Sequence, residues 1–115
     1  MKSNIHITYY NSYYHMELKE KQSFAFFNRF TNWLSAEFDL LLQEQLKNEL
    51  IIYYPNGSIV IKYHNNSQTL TMSVKNKIEK DCIRIADTVM NSYSFLQSSI
   101  HLFHEPQLAS KYINC

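Results

Sequence analysis

The sequence predicts a single α+β domain in which an antiparallel sheet carries two helices on one face. Two hydrophobic periodicities indicate this fold class. Apolar and polar residues alternate in stretches of residues 4–19 and 49–74, as in strands with one buried face. Apolar residues recur in steps of three and four over residues 23–48 and 76–104, as in amphipathic helices. The predicted order is β(β)-α-β-β-β-α, and a chain of 115 residues suits one domain.

The first segment, residues 4–19, is predicted to be a hairpin. Ile5 and Ile7 alternate with polar neighbours, and Met16 and Leu18 do the same further on. Between them, Asn11-Ser12 suits a short turn, because Asn tolerates the left-handed backbone conformation. The alternative is one longer strand that contains a bulge.

The first helix is predicted to begin at Ser23. A Ser hydroxyl at this position can accept a hydrogen bond from a free backbone N–H of the first turn. The apolar stripe continues to Leu46, and neither Pro nor Gly interrupts residues 23–48. The pattern therefore predicts a helix over the whole of residues 23–48.

Residues 49–74 are predicted to form a three-stranded meander with one apolar face. Residues 50–54 are a continuous apolar run, which indicates a strand covered on both faces. The pair Asn56-Gly57 is favoured in two-residue hairpin turns, because both residues accept positive φ. A second turn is predicted at residues 65–67.

The last helix is the longest predicted element. It is predicted to begin near Asn76 as its cap and to continue to about His104, where Pro106 ends it. Its apolar stripe contains Cys82, which is predicted to be a core residue, since thiols are often buried. Residues 107–115 are predicted to be a loosely ordered tail of the same domain.

The α–β–β–β–α order of residues 24–104, with lysines at the start of the second helix, resembles that of the double-stranded-RNA-binding domain. The resemblance implies that a helix face and those lysines contact RNA. In that fold the segment before the second helix is rich in glycine, whereas residues 71–75 of this chain contain no glycine. The similarity therefore covers element order only and identifies no family.

Composition limits the function classes. The formal net charge is +1, which gives no overall electrostatic pull toward nucleic acid or acidic membranes. The single glycine excludes a glycine-rich phosphate loop, so we predict no cofactor. His101 and His104 lie three residues apart, but two ligands do not make a metal site, and we predict none.

The chain gives simple expectations about location. It begins without an apolar signal segment and contains no run of about 20 apolar residues, so we expect no membrane segment. The two cysteines have no framework spacing, which favours reduced thiols and a cytoplasmic location. Abundant Asn and Tyr suggest an AT-rich source, and viral or phage origin is among the sources that fit.

The leading functional prediction is a non-catalytic protein–protein interaction module, such as an adaptor, a chaperone-like subunit or a small inhibitor. Another protein would be the partner, and self-association is left open. Tyrosine is a favoured anchor of protein interfaces. The predicted interface residues are Tyr9, Tyr10, Tyr13, Tyr53, Tyr54 and Tyr63.

The alternative prediction is nucleic-acid binding through a basic patch at the start of the last helix. Lys77, Lys80 and Arg84 are spaced to share one helix face, and Lys75 precedes them. The near-zero net charge ranks this function second. An enzyme without a recognisable motif ranks third, and no catalytic residue is predicted.

Overall fold

The computed structural model describes residues 5–104, with side chains described up to Ser99. Each element has a definite range along the chain. The strands are β1 (Thr8–Tyr10), β2 (Tyr13–Lys21), β3 (Gln43–Leu46), β4 (Glu49–Tyr54), β5 (Gly57–His64) and β6 (Thr69–Asn76), and the helices are α1 (Phe24–Glu37) and α2 (Glu79–His104).

One antiparallel sheet carries both helices on the same face, which confirms the predicted fold class. The strand order is β1-β2-β6-β5-β4-β3. Alternate residues of the four inner strands point toward the helices and form the core. The fully buried apolar side chains of this sheet face are Leu50, Ile52, Ile59, Ile61, Leu70, Met72 and Val74.

The N-terminal hairpin is confirmed. Asn11 and Ser12 form its two-residue loop with φ values of 56° and 70°, both in the left-handed region. Strand β2 then pairs with β6 in antiparallel register from Tyr14 opposite Asn76 to Lys21 opposite Thr69. The hairpin therefore extends the sheet formed by the later strands.

Helix α1 begins as predicted and ends earlier than predicted. The Ser23 Oγ accepts a hydrogen bond from the Phe26 N–H at 3.1 Å, which confirms the cap. The helix stops at Glu37, so the prediction of a helix over residues 23–48 is wrong.

The side chain of Gln43 explains why the helix ends where it does. Its Nε2 donates to the carbonyl oxygens of Ser35, at 3.0 Å, and Phe38, at 2.8 Å. Its Oε1 accepts from the Ser35 hydroxyl at 2.6 Å. Gln43 thus satisfies backbone groups that a further helical turn would have satisfied.

Residues 43–46 form strand β3, which pairs with β4. The chain therefore has four strands between α1 and α2 in sequence, rather than the predicted three. This extra strand also removes the resemblance in element order to the double-stranded-RNA-binding domain, which rested on three strands.

The β4–β5 turn differs from the predicted Asn56-Gly57 turn. Its two loop residues are Pro55 and Asn56, and only Asn56 has a positive φ, of 69°. Gly57 is the first residue of β5. A Cβ atom at Gly57 would collide with the Lys75 carbonyl oxygen and lie 2.8 Å from the Asn76 Cα. The glycine is required by the close approach of β6, and not by a left-handed backbone.

The apolar run at residues 50–54 is covered on one face only by the part of the chain that the structure describes. Leu50 and Ile52 are buried beneath the helices, whereas Ile51 is half-buried and Tyr53 is exposed on the other face. The described part of the chain thus covers only one of the two faces, because the strand lies in an antiparallel sheet with both helices on one side.

The long final helix is confirmed, although it begins at Glu79 rather than near Asn76. Asn76 is instead the buried last residue of β6. Its Oδ1 accepts from the Ile78 N–H at 3.0 Å, and its Nδ2 donates to the Pro55 carbonyl at 3.3 Å. Asn76 therefore links the turn before α2 to the β4–β5 turn.

Three sequence predictions concern residues outside this description. The predicted tail, residues 107–115, and Pro106 lie beyond residue 104. The side chains of His101 and His104 also lie outside the described residues.

Candidate binding surface

The sheet face opposite the helices is open over the described residues. Strand alternation and the observed register assign its side chains, because residues paired across neighbouring strands lie on the same face. We call this surface the open face. Its central residues include Glu17, Lys19, Val60, Lys62, Ser73 and Lys75.

Two concavities of about 540 Å³ each lie next to one another on the open face. Glu17, Val60 and Ser73 line both of them, so the two form one continuous depression across β2, β6 and β5. We call this depression the trough. Its central side chains Val60 and Ser73 are small and half-buried, which leaves room for a ligand between larger residues at the two ends.

One end of the trough is aromatic. The Tyr10 ring lies 4.9 Å from the His15 ring at an interplanar angle of 32°, and the Tyr13 ring lies 6.3 Å from His15 at 66°. The Nζ atoms of Lys75 and Lys77 lie 4.7 Å and 5.8 Å from the Tyr13 ring centroid. We call these five residues the stacking corner, since they combine aromatic faces with cations.

The other end of the trough is basic and polar. Lys19 and Lys62 are exposed there, beside His64. The His64 Nε2 and the Thr71 Oγ1 are 3.5 Å apart. Exposed ammonium groups are therefore present at both ends of the trough.

Positive charge is concentrated on three neighbouring strands of the open face. On β2, β5 and β6 the open face presents four lysines and only one carboxylate, Glu17. The other acids of this face, Glu44 and Glu49, lie on the edge strand β3 and its neighbour β4. The helices carry both signs. Their charged residues are Arg29, Glu37, Glu79, Lys80, Asp81, Arg84 and Asp87.

The six tyrosines predicted as one interface do not form one surface. Tyr10, Tyr13 and Tyr53 lie on the open face, with Tyr53 on β4, away from the other two. Tyr9 is exposed, but strand alternation turns it to the helix side of the sheet. Tyr54 is half-buried on the helix side, where its ring meets Phe38 at 5.7 Å.

The structure corrects the prediction that Tyr63 is an interface residue, because Tyr63 is buried in the core. Its ring lies 5.5 Å from both Phe24 and Phe27, and its hydroxyl donates to the Gln22 carbonyl at 2.9 Å. It follows Ile59 and Ile61 in the same inward-facing register. Tyr63 is therefore not available to a partner in this structure.

Tyr53 and Glu44 are linked on the open face. The Tyr53 hydroxyl donates to the Glu44 carboxylate at 2.9 Å, and this hydrogen bond raises the pKa of Tyr53 above its ordinary value. The pair holds a negative charge near the outer edge of the sheet. An anionic ligand would therefore favour the β2–β6–β5 side of the open face.

The four residues of the predicted basic patch do not lie together on one surface. Lys75 and Lys77 converge on Tyr13, but Lys77 precedes α2, so it does not share a helix face with Lys80 and Arg84 as predicted. Arg84 donates to Asp81 at 3.1 Å within α2, so a carboxylate lies directly beside this cation. Lys80 is an exposed residue of the first turn of α2.

The prediction that Cys82 is a core residue is confirmed. Its thiol donates to the Tyr14 carbonyl at 3.4 Å, and burial raises the pKa of Cys82 above its ordinary value. The thiol is therefore protonated at neutral pH, which is the opposite of an activated nucleophile.

Two further properties concern residues 5–104. No helix in this range has both the length and the apolar character needed to cross a lipid bilayer. Among residues 5–99, whose side chains the structure describes, His, Cys, Asp and Glu do not gather in groups of three that could hold a metal ion.

The helical layer carries a separate exposed aromatic pair. Trp33 of α1 and Phe95 of α2 have ring centroids 5.4 Å apart, and they are 40% and 56% exposed. Leu40 and Leu42, between α1 and β3, are also strongly exposed. Exposed aromatic residues of this kind are frequent anchors in protein interfaces.

The trough itself was not predicted from the sequence. The available signal was the alternation of lysine with apolar residues in strands β2, β5 and β6. That signal indicates a single basic surface only when the register places Lys19, Lys62 and Lys75 on the same face.

Comparisons with protein-family models, with curated proteins and with solved structures gave no match for this chain.

Proposed function

We propose that the protein is a non-catalytic binding module that docks an anionic macromolecule in the trough. One observation carries this proposal: a chain of formal net charge +1 concentrates lysines on β2, β5 and β6 of one sheet face. Lys77 joins that face through its contact with Tyr13. Each of these ammonium groups would stabilise the binding of a partner with regularly spaced negative charges.

The physical basis is counterion release and local field strength. A polyanion that binds several lysines releases its condensed counterions, so the affinity depends strongly on salt. A concave surface also focuses the field of the charges that line it. The sole acid of the trough, Glu17, lies among several cations and reduces this field without reversing it.

The expected result on immobilised heparin is retention that depends on the trough lysines. The double variant Lys19→Gln/Lys62→Gln should elute at lower salt than the unchanged chain, because two charges leave the open face. The matched control Arg29→Gln/Lys47→Gln removes two charges from exposed residues outside β2, β5 and β6, and we expect a smaller change. Equal shifts for the two variants, or no retention at low salt, would contradict the proposal.

We also propose a reducing, cytoplasmic setting. Cys82 is a free, buried thiol that is hydrogen-bonded within the core, a state that a reducing compartment maintains.

A second candidate function, protein–protein interaction through the helical layer, is favoured by the exposed Trp33–Phe95 pair. The first partner to test is a second copy of the chain. We expect concentration-dependent association in size-exclusion chromatography with light scattering, and its loss in Trp33→Ala/Phe95→Ala. A strict monomer at all concentrations would rule out this form of the interaction.

A further inference from the structure

We propose that the trough binds single-stranded nucleic acid, with a base stacked on the stacking corner and the phosphates near the lysines. This inference rests on the proposed function and names the class of anionic partner. Single-strand binding surfaces combine a basic groove, which follows the backbone, with aromatic side chains on which bases stack. The open face has both features in one continuous depression.

Tyr10 is the accessible stacking platform. It is 65% exposed, and its ring is supported from one side by His15 at 4.9 Å. The Nε2 atom of His15 is shielded from solvent and has no hydrogen-bond partner among the described residues, so ring contacts with Tyr10 and Tyr13 hold this imidazole. A base that stacks on Tyr10 would extend an aromatic pair that already exists in the protein.

Tyr13 supplies the adjoining contact between aromatic ring and cation. Two ammonium groups, from Lys75 and Lys77, lie within 5.8 Å of its ring centroid. The same ammonium groups lie within reach of a strand whose base stacks at this corner, and they can bind its phosphates. Lys19 and Lys62 provide the next cations along the trough.

The chemistry of the trough centre favours bases over an acidic protein segment. Val60 and Ser73 present a small surface without large apolar anchors, whereas stable protein interfaces usually have a well-packed apolar centre. Glu17 repels phosphate, so the backbone of a bound strand avoids this carboxylate. A strand therefore binds best with its bases toward Glu17 and its phosphates toward the lysines.

The test compares ligands of equal charge with and without bases. Fluorescence anisotropy would measure the binding of a labelled oligothymidylate of about 12 nucleotides, within the range of known single-strand sites. An abasic oligonucleotide of the same length and a polyglutamate peptide serve as competitors. We expect the oligothymidylate to bind about tenfold or more tightly than the abasic strand. An oligouridylate distinguishes RNA from DNA, and preference for either supports the inference.

Two tyrosines of strand β1 provide matched variants. Tyr10→Leu should weaken oligothymidylate binding about tenfold and leave abasic binding unchanged. Tyr9→Leu removes a ring of similar exposure, 61%, from the opposite face of the same strand, and we expect no change. In Lys75→Gln/Lys77→Gln, the slope of log affinity against log salt should fall by about 0.7 for each phosphate that the variant no longer neutralises.

Each contrary outcome has a distinct meaning. Equal binding of the oligothymidylate and the abasic strand, or equal effects of the two tyrosine variants, overturns base stacking and leaves anion docking intact. Preferred binding of polyglutamate also overturns the inference, in favour of an acidic protein partner. Failure to bind any of these ligands, together with failure to bind heparin, overturns both the inference and the proposed function.

Discussion

Gly57→Ala should destabilise the fold by about 3 kcal/mol, because it forces a methyl group into the β5–β6 contact. The added Cβ would collide with the Lys75 carbonyl oxygen and approach the Asn76 Cα to 2.8 Å. Both contacts are backbone atoms, which cannot rotate away as a side chain would. Urea denaturation followed by circular dichroism would measure the decrease in free energy of unfolding.

The neighbouring residue Asn56 offers the control for this prediction. Asn56 has a φ of 69°, so Asn56→Gly keeps a conformation that glycine adopts freely. We expect a change of less than about 1 kcal/mol, arising mainly from the unfolded chain. If Gly57→Ala proved as mild as Asn56→Gly, the close approach of the two strands would not be a requirement of the fold.

Phe30→Ala should cost about 3–5 kcal/mol in free energy of unfolding, as large-to-small core substitutions do. Phe30 is 0% exposed. Its ring lies 6.1 Å from Phe26 and 5.5 Å from Tyr93, so it joins α1 to α2 within the core. Truncation leaves a cavity between the two helices. Thermal unfolding by calorimetry would register the destabilisation.

Phe95→Ala is the control for Phe30→Ala, since Phe95 is an aromatic residue of the same type that is 56% exposed. We expect a destabilisation of less than about 1 kcal/mol from this variant, because little of its ring is buried against the core. A similar effect from both variants would mean that the helix–helix core does not depend on Phe30.

The fold class was predictable from the sequence because periodicity reports which face of an element is buried. Met72 and Val74 alternate as a strand requires, and Cys82, Ile85 and Val89 follow in helical steps. The end of α1 was not predictable in this way. It involves Gln43, the first residue of β3, whose side chain forms hydrogen bonds with Ser35 and Phe38 at the end of the helix. The hydrophobic periodicity of residues 38–46 does not report such side-chain hydrogen bonds.

The candidate site was predictable only in part. Lys75, Tyr10 and Tyr13 were singled out from the sequence, but in two separate predicted sites. The register of β1, β2 and β6 brings them together, because it places Tyr10 opposite Tyr13 and His15 opposite Lys75. The reason Tyr63 failed as an interface residue is also one of register, since it faces the helices with Ile59 and Ile61.

The pairing of β2 with β6 has a consequence for the order of assembly during folding. Strands β3 to β6 are joined by short turns and pair with sequence neighbours, so their contacts close small loops. Strand β2 meets β6 across the chain, with Lys21 opposite Thr69 and Tyr14 opposite Asn76. Closing so long a loop costs entropy before any contact compensates for it, and contacts between distant residues slow folding. We therefore expect strands β3 to β6 to pair early and the β1–β2 hairpin to dock late. The trough would then be completed only in the last step.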